Sequence, residues 1–189
     1  MKGEAIEKRK VKEKSKAKKK EEAKEVSWLQ GLKLSPKQIM VFLLEFMAVS
    51  VVFFVVWWYC IGGLYQSAIF FAAKPILLVM GCPPALITAA FSHLEQAGGY
   101  GYLANFNLVP LVALAIATPK LVLRRRIEML AIGVPVLFLL HVLDLVAHYP
   151  MDVYHSEIAR LIVYSIGIGG VAIPFIIWFA ICYREFFRG

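Results

Sequence analysis

Long apolar runs, separated by short polar or basic stretches, dominate the chain beyond residue 38. Four of these runs have the length that a helix needs to cross the hydrocarbon core of a bilayer: 39–61, 107–123, 129–148 and 161–183. The aromatic stretch Trp57–Tyr59 closes the first run, as is typical of a membrane–water interface. We therefore predict an all-α integral membrane protein with about four transmembrane helices.

Basic clusters predict how these helices are oriented. The clusters are the Lys-rich N terminus, the triplet Arg124–Arg126, and Arg184 with Arg188 near the C terminus. Lys and Arg concentrate in the cytoplasmic loops of membrane proteins. Four crossings place all three clusters on one side, so we predict a multi-pass protein of the cell membrane with cytoplasmic N and C termini.

A fifth apolar run, 64–80, has no crossing to make in this arrangement. Lys74–Pro75 interrupts this run, and Gly81-Cys82-Pro83-Pro84 ends it. We predict an interfacial helix over 64–80 on the outer face, followed by an irregular external segment to Ala104.

The charge is concentrated in the first 37 residues, which hold thirteen Lys or Arg and six Glu, whereas the rest of the chain is nearly neutral. This divides the chain into a basic tail, 1–37, largely disordered or helical, and a membrane domain, 38–189. A basic segment next to a membrane span favours anionic lipid headgroups over nucleic acid as its partner.

Three polar residues share one face of the span 129–148. At about 100° per residue, His141, Asp144 and His148 fall within roughly 60° of one another. Ionisable groups inside a membrane helix are costly and usually face the bundle interior or a water-filled cavity. We therefore predict a polar site near the outer end of this helix.

Further polar residues should reach the same outer face from neighbouring helices. The predicted topology gathers them into an extracytoplasmic binding pocket made of Asn105, Asn107, His141, Asp144, His148, His155 and Arg160.

Two kinds of chemistry fit this pocket. His141, Asp144 and His148 have the ligand types of a divalent metal site, and His141, Asp144 and His155 are candidate acid–base residues. Because no motif such as HExxH is present, we favour an interhelical hydrogen-bond network that is structural or contacts a substrate, and we expect no cofactor.

Several segments carry a family resemblance. They are "ILLVMGCPP", "NLVPLVALAIATPKLVLRRRIEMLAIGVPVLFLLHVLDLVAH", "DVYHSEIARL" and "YSIGIGGVAIPFIIWFAICY". In these segments the chain from Ile76 to Tyr183 resembles the membrane core of the exosortase/archaeosortase family. That resemblance implies protein sorting at the cell envelope, with a Cys nucleophile, an Arg and a further His or Arg cleaving tagged surface proteins.

The chain departs from the family at the decisive positions. Asn105 and Asn107 stand where the family has its Cys, and His141 and Asp144 stand where it has Asn and Arg. Only His155 matches. An Asn supplies no thiolate and an Asp supplies no cation, so we predict that the chain is not an active cysteine transpeptidase.

Two functional hypotheses remain open. In the first, the pocket binds a surface-protein tail, a lipid-linked partner or another membrane subunit. In the second, the protein is a membrane-embedded hydrolase or transferase that uses His141, Asp144, His148 and His155 as metal ligands or acid–base groups. A transporter is less well supported, because the polar cluster is confined to one half of the membrane.

Overall fold

The computed structural model describes residues 35–89, 105–119 and 121–187, with side chains as far as Tyr183. Within these ranges every element with defined bounds is a helix, so the all-α prediction is confirmed for this part of the chain. The helices are α1 Pro36–Val56, α2 Gly62–Val79, α3 Leu108–Ala117, α4 Leu123–Tyr154, α5 Glu157–Gly170 and α6 Ile173–Phe187. The predicted tail 1–37 lies outside the described residues except for its last three.

Two helical stretches are long and apolar enough to cross a membrane. One is Pro36–Val79, in which the π-helical turn Trp57–Ile61 joins α1 to α2, and the other is α4. The pair α5 and Ile173–Tyr183 of α6, which meet at a bend of 54°, counts as a third if it is taken as one span. The predicted span 161–183 is therefore broken near its middle.

The predicted span 107–123 is a much shorter helix. Thr118, which precedes Pro119, is extended, with ψ 116°. The residue before a proline avoids the helical region, so α3 ends here. The guanidinium of Arg126 then donates to the carbonyl oxygens of Ile116, Thr118 and Leu121. The ten residues of α3 extend over about 15 Å, roughly half of a hydrocarbon core.

Local sequence signals explain both ends of the Pro36–Val79 stretch. Ser35 and Gln38 form a reciprocal capping box, with Pro36 at the first helical position. At the other end Gly81 has φ 82°, its N–H donates to Leu78, and the N–H of Cys82 donates to Leu77, which is a Schellman motif.

The side of α2 that faces away from the bundle is apolar. Leu64, Phe71 and Val79 are 75%, 81% and 90% exposed. A helix lying at the interface has a charged or polar face on that side, and on α2 only Ser67 and Lys74 are polar there. The run 64–80 is therefore not a separate helix, because α2 continues α1, and its outer face is apolar; its place at the membrane interface stays a prediction.

The bundle has two large hydrophobic clusters stacked along its length, and Leu121 and Cys182 form a small third one. α1 packs against α3, while α2 and α5 pack against α4. The first cluster is Trp57, Leu108, Val109, Leu111, Leu114, Ala115, Met129 and Leu137. The second is Ile69, Phe70, Ala73, Leu77, Cys82, Ile87, Val142 and Val146. Along α4, the first cluster ends at Leu137 and the second begins at Val142, and His141 lies between them.

Candidate functional site

A layer of polar side chains separates the two hydrophobic clusters. In the described ranges, the buried polar residues are Asn105, Asn107, Thr118 and His141. All of them except Thr118 belong to the predicted pocket. His141 is only 5% exposed, although it lies roughly 27 Å along α4 from Leu123. The polar layer is therefore well inside the apolar part of the bundle.

Two residues of α2 complete this layer. The Tyr65 hydroxyl lies 2.9 Å from His141 Nδ1, and Asn105 Nδ2 donates to Gln66 Oε1. The Tyr65 ring also meets the His141 imidazole edge to face, with centroids 5.8 Å apart. Sequence reasoning missed both partners because it placed the run 64–80 at the membrane surface. The signal was the Tyr-Gln pair itself, two adjacent polar residues inside an apolar run.

A cleft of about 390 Å³ opens beside this layer. One wall is polar and comes from α4 and the residue before α3, and the other is mostly apolar and comes from α5 and the turn after it. The cleft is lined by Phe106, Asn107, His141, Asp144, His148, Val163, Tyr164, Ile166, Gly167, Ile168 and Val171. The structure thus brings four of the seven predicted pocket residues together.

Two of these residues, Asp144 and His148, are one turn apart on α4. His148 Nδ1 lies 2.7 Å from the Asp144 backbone oxygen, so the N–H donates to that carbonyl. The Asp144 carboxylate is farther away, with Oδ2 at 3.8 Å from His148 Nδ1. The Asp144 side chain is 29% exposed, and it remains available to a group entering the cleft.

Asn107, which lines the cleft, and Gly170 lie close together where α3 begins and α5 ends. Asn107 precedes α3 and makes no side-chain capping bond. A Cβ atom added at Gly170 would lie 2.9 Å from Asn107 Nδ2, so glycine permits this close approach. The bend of 54° between α5 and α6 directly follows Gly170.

The remaining predicted pocket residues lie elsewhere. Asn105 is buried behind the cleft on Gln66. His155 ends α4 in a left-handed conformation, with φ 51°, and is exposed. Arg160 forms an ion pair with Glu157 at 3.1 Å on α5. Neither His155 nor Arg160 lines the cleft.

Metal-ligating side chains do not converge in the described part of the chain. No group of three or more His, Cys, Asp or Glu there has the arrangement of a metal site. Cys82 is buried, which raises the pKa of its thiol, and the three cysteines are unbonded to one another. The metal hypothesis for His141, Asp144 and His148 stays a prediction.

The arrangement is suited to binding an amphipathic group. An apolar wall contacts hydrocarbon side chains, while an amide, an imidazole and a carboxylate face them with hydrogen-bonding capacity. Comparisons with protein families, curated proteins and solved structures find no match for this chain. The resemblance to exosortases and archaeosortases stays a prediction.

Proposed function

We propose that this protein is an integral membrane binding subunit whose cleft holds the apolar tail of a membrane-anchored protein. In this proposal the chain crosses the cell membrane four times, with both termini in the cytoplasm. The crossings are the Pro36–Val79 stretch, α3 with the rest of the apolar run 107–123, α4, and the bent pair α5–α6.

The charge distribution supports this topology. Arg124–Arg126 lie in the first turn of α4, at the end of the bundle where α1 begins, and the turn between α4 and α5 is at the opposite end of α4. The Pro36–Val79 stretch is 44 residues, about 66 Å if straight, and exceeds the thickness of a hydrocarbon core. We propose that this stretch crosses obliquely or bends at its π-helical turn, since such turns are common sites of helix kinks.

The observation that carries the proposed function is the pair of unlike walls in the cleft. A pocket for a polar metabolite would be polar on both sides, whereas here Val163, Ile166 and Ile168 oppose His141 and Asp144. Ile168 is 82% exposed, so the apolar wall continues onto the outer surface of α5. A polypeptide with apolar side chains can pack along that wall while its polar groups meet α4.

One observation favours a second candidate function, a membrane hydrolase or transferase. His141 is fixed by Tyr65 through Nδ1, and its Nε2 has no hydrogen-bond partner among the described residues. An oriented imidazole in the same cleft as a carboxylate is a recurrent acid–base arrangement. In that case, His141→Gln should abolish turnover of a bound tail while leaving tail binding intact.

Two glycines of α5 allow a matched test of the binding function. A Cβ atom added at Gly167 or Gly169 would meet nothing within 4 Å, but only Gly167 lines the cleft. Gly167→Leu should therefore fill the cleft without disturbing the bundle, and Gly169→Leu should add the same side chain outside it. Both changes alter helix propensity equally.

The readout is photo-crosslinking in native membranes, with a benzophenone amino acid at Ile168. We expect one or a few membrane proteins to be captured through an apolar tail, and mass spectrometry of the crosslinked peptide identifies that tail. Gly167→Leu should remove the crosslink and Gly169→Leu should keep it. Capture that is unchanged by Gly167→Leu, or through a soluble segment of the captured protein, would contradict the proposed function.

A further inference from the structure

One residue that lines the cleft, His141, has a buried hydrogen-bonding atom that the described protein leaves unused. His141 is only 5% exposed, and its Nε2 has no hydrogen-bond partner among the described residues. An unpaired polar atom buried in a protein costs roughly the free energy of desolvating it. Such an atom in a side chain that lines a cleft indicates the group that the cleft is built to bind.

The hydroxyl of Tyr65 determines which hydrogen-bonding role His141 Nε2 has. In a neutral imidazole one ring nitrogen donates and the other accepts. If Tyr65 donates to Nδ1, the only group left without a partner is the Nε2–H. If Nδ1–H instead donated to Tyr65, both the Tyr65 hydroxyl hydrogen and the Nε2 lone pair would lack partners in the described structure. The first arrangement leaves fewer groups unpaired, so His141 presents an N–H donor.

Asp144 supplies the complementary acceptor. His148 Nδ1–H is already committed to the Asp144 backbone oxygen, and the carboxylate oxygen is 3.8 Å from that nitrogen, beyond hydrogen-bond distance. His141 and Asp144 are three residues apart on the cleft face of α4. A ligand group that satisfies both must accept one hydrogen bond and donate another.

We infer that the cleft recognises the backbone of one residue of the bound tail, with His141 Nε2–H donating to that residue's carbonyl oxygen and Asp144 accepting from its N–H. This inference rests on the proposed function. A phosphate group offers acceptors only and would meet the Asp144 carboxylate, and an ammonium group offers donors only. The backbone of one residue offers both, and in an extended segment its N–H and its C=O point to the same side.

This recognition selects for the backbone conformation of the tail. Inside a regular helix every amide is already bonded to its own helix, so a continuous helical tail has no free carbonyl or N–H to offer. A Gly-Pro interruption breaks this pattern, because proline has no N–H and its ring disrupts the preceding turn. We therefore expect the recognised tail to be unwound where it passes His141 and Asp144.

Two synthetic peptides test the inference directly. Each is an apolar Leu/Ala segment of about 20 residues with Lys at both ends. One carries Gly-Pro at its centre and the other carries Ala-Ala. Binding to the full-length protein in phosphatidylcholine vesicles is measured by energy transfer. We expect the Gly-Pro peptide to bind roughly tenfold more tightly, the effect of two net hydrogen bonds.

The variants identify the groups responsible for that preference. His141→Phe and Asp144→Leu should each reduce the ratio of the two affinities severalfold, toward one, and Arg160→Gln, outside the cleft, should leave it unchanged. A second measurement does not depend on binding: ¹⁵N NMR of histidine-labelled protein should show hydrogen on Nε2 of His141 and none on Nδ1.

The outcomes separate this inference from the proposed function. If both peptides bind equally to the unmodified protein and Gly167→Leu prevents both from binding, the amide recognition is wrong and the proposed function stands. Hydrogen on Nδ1 of His141 would likewise overturn the donor assignment. If neither peptide binds the unmodified protein, the inference and the proposed function are both overturned.

Discussion

Two polar groups are embedded in this apolar bundle, and they differ in how completely they are satisfied. At the end of the bundle where α4 begins, Arg126 donates to three carbonyl oxygens. Next to it, the Thr118 hydroxyl donates to Leu114 at 2.5 Å and accepts from Trp178 Nε1 at 2.8 Å. In the cleft, by contrast, His141 Nε2 lacks a partner and the Asp144 carboxylate has no hydrogen bond in the described structure.

This difference separates a structural group from a binding group. The Arg126 group closes the carbonyl end of α3, and each of the three guanidinium nitrogens donates to a backbone carbonyl oxygen. The cleft group holds His141 in place through Tyr65 but leaves its other nitrogen unsatisfied. Removing a satisfied group should destabilise the fold, whereas removing an unsatisfied one should change binding. The predictions below test this contrast.

The largest expected effect concerns the two ends of α4 in the proposed topology. A cysteine at Asp152 should be labelled completely by an impermeant maleimide added to intact cells, and a cysteine at Arg124 should not be labelled. The physical reason is that Arg residues are retained in the cytoplasm. The native Cys60, which is exposed, is replaced by Ala in both variants. Reversed labelling would place the cleft half of α4 in the cytoplasmic leaflet.

The next largest effect is the loss of stability expected when Arg126, whose guanidinium donates to three carbonyl oxygens, is replaced. Arg126→Leu leaves the carbonyls of Ile116, Thr118 and Leu121 without their donor, and we expect a loss of about 2–4 kcal/mol in the free energy of unfolding. Thermal melting of the purified protein measures it. Arg126→Lys retains a single donor group and should lose less. A loss no larger than that of a cleft variant would contradict the assignment of the Arg126 group as structural.

The sequence predicted the helical class and most of the cleft because both depend on local patterns. The apolar runs predicted the helices, and the spacing of His141, Asp144 and His148 placed them on one face, where the structure has them lining one cleft. The capping signals at Ser35 and Gly81 could also be recognised directly.

What the sequence did not predict depends on contacts between distant segments. The partnership of Tyr65 with His141 joins residues 76 positions apart, and no local pattern encodes it. The continuity of helix through Trp57–Ile61 depends on Trp57, which is 4% exposed and packs in the first hydrophobic cluster. The pocket assignment of His155 and Arg160 came from topology alone, which places residues at one end of a bundle but does not orient their side chains.

For His141 we expect the opposite of what we expect for Arg126: a small loss of stability and a large loss of binding. His141→Phe keeps an aromatic ring in place but removes the Nε2–H and the bond to Tyr65. We expect a loss of only about 1 kcal/mol in the free energy of unfolding, together with an approximately tenfold weaker binding of an apolar tail peptide. Melting and energy transfer on the same preparation give both values. A large drop in melting temperature with unchanged binding would make His141 a structural residue.

Asp144 provides a finer version of this test. Asp144→Asn retains a carbonyl oxygen as acceptor, so tail binding should weaken by about twofold, whereas Asp144→Leu removes the acceptor and should weaken it severalfold. Both are measured with the Gly-Pro peptide. If Asn proves as damaging as Leu, the charge itself is required, which would favour the alternative that Asp144 binds a metal or acts as an acid–base residue.

The smallest effect is expected next to Asn107, where two neighbouring glycines of α5 differ in their surroundings. Ala at Gly169 meets nothing within 4 Å, so it should stabilise the helix by about 0.5–1 kcal/mol. Ala at Gly170 gains the same propensity, but its Cβ would lie 2.9 Å from Asn107 Nδ2. The Asn107 side chain must then move, which offsets the gain. We therefore expect Gly170→Ala to melt near the unmodified protein and below Gly169→Ala.

Because the displaced amide belongs to the polar wall, tail binding should also weaken by about twofold in Gly170→Ala alone. Equal melting temperatures and equal binding for the two variants would show that Asn107 and Gly170 are not in close contact, and Asn107 would then lose its place in the cleft.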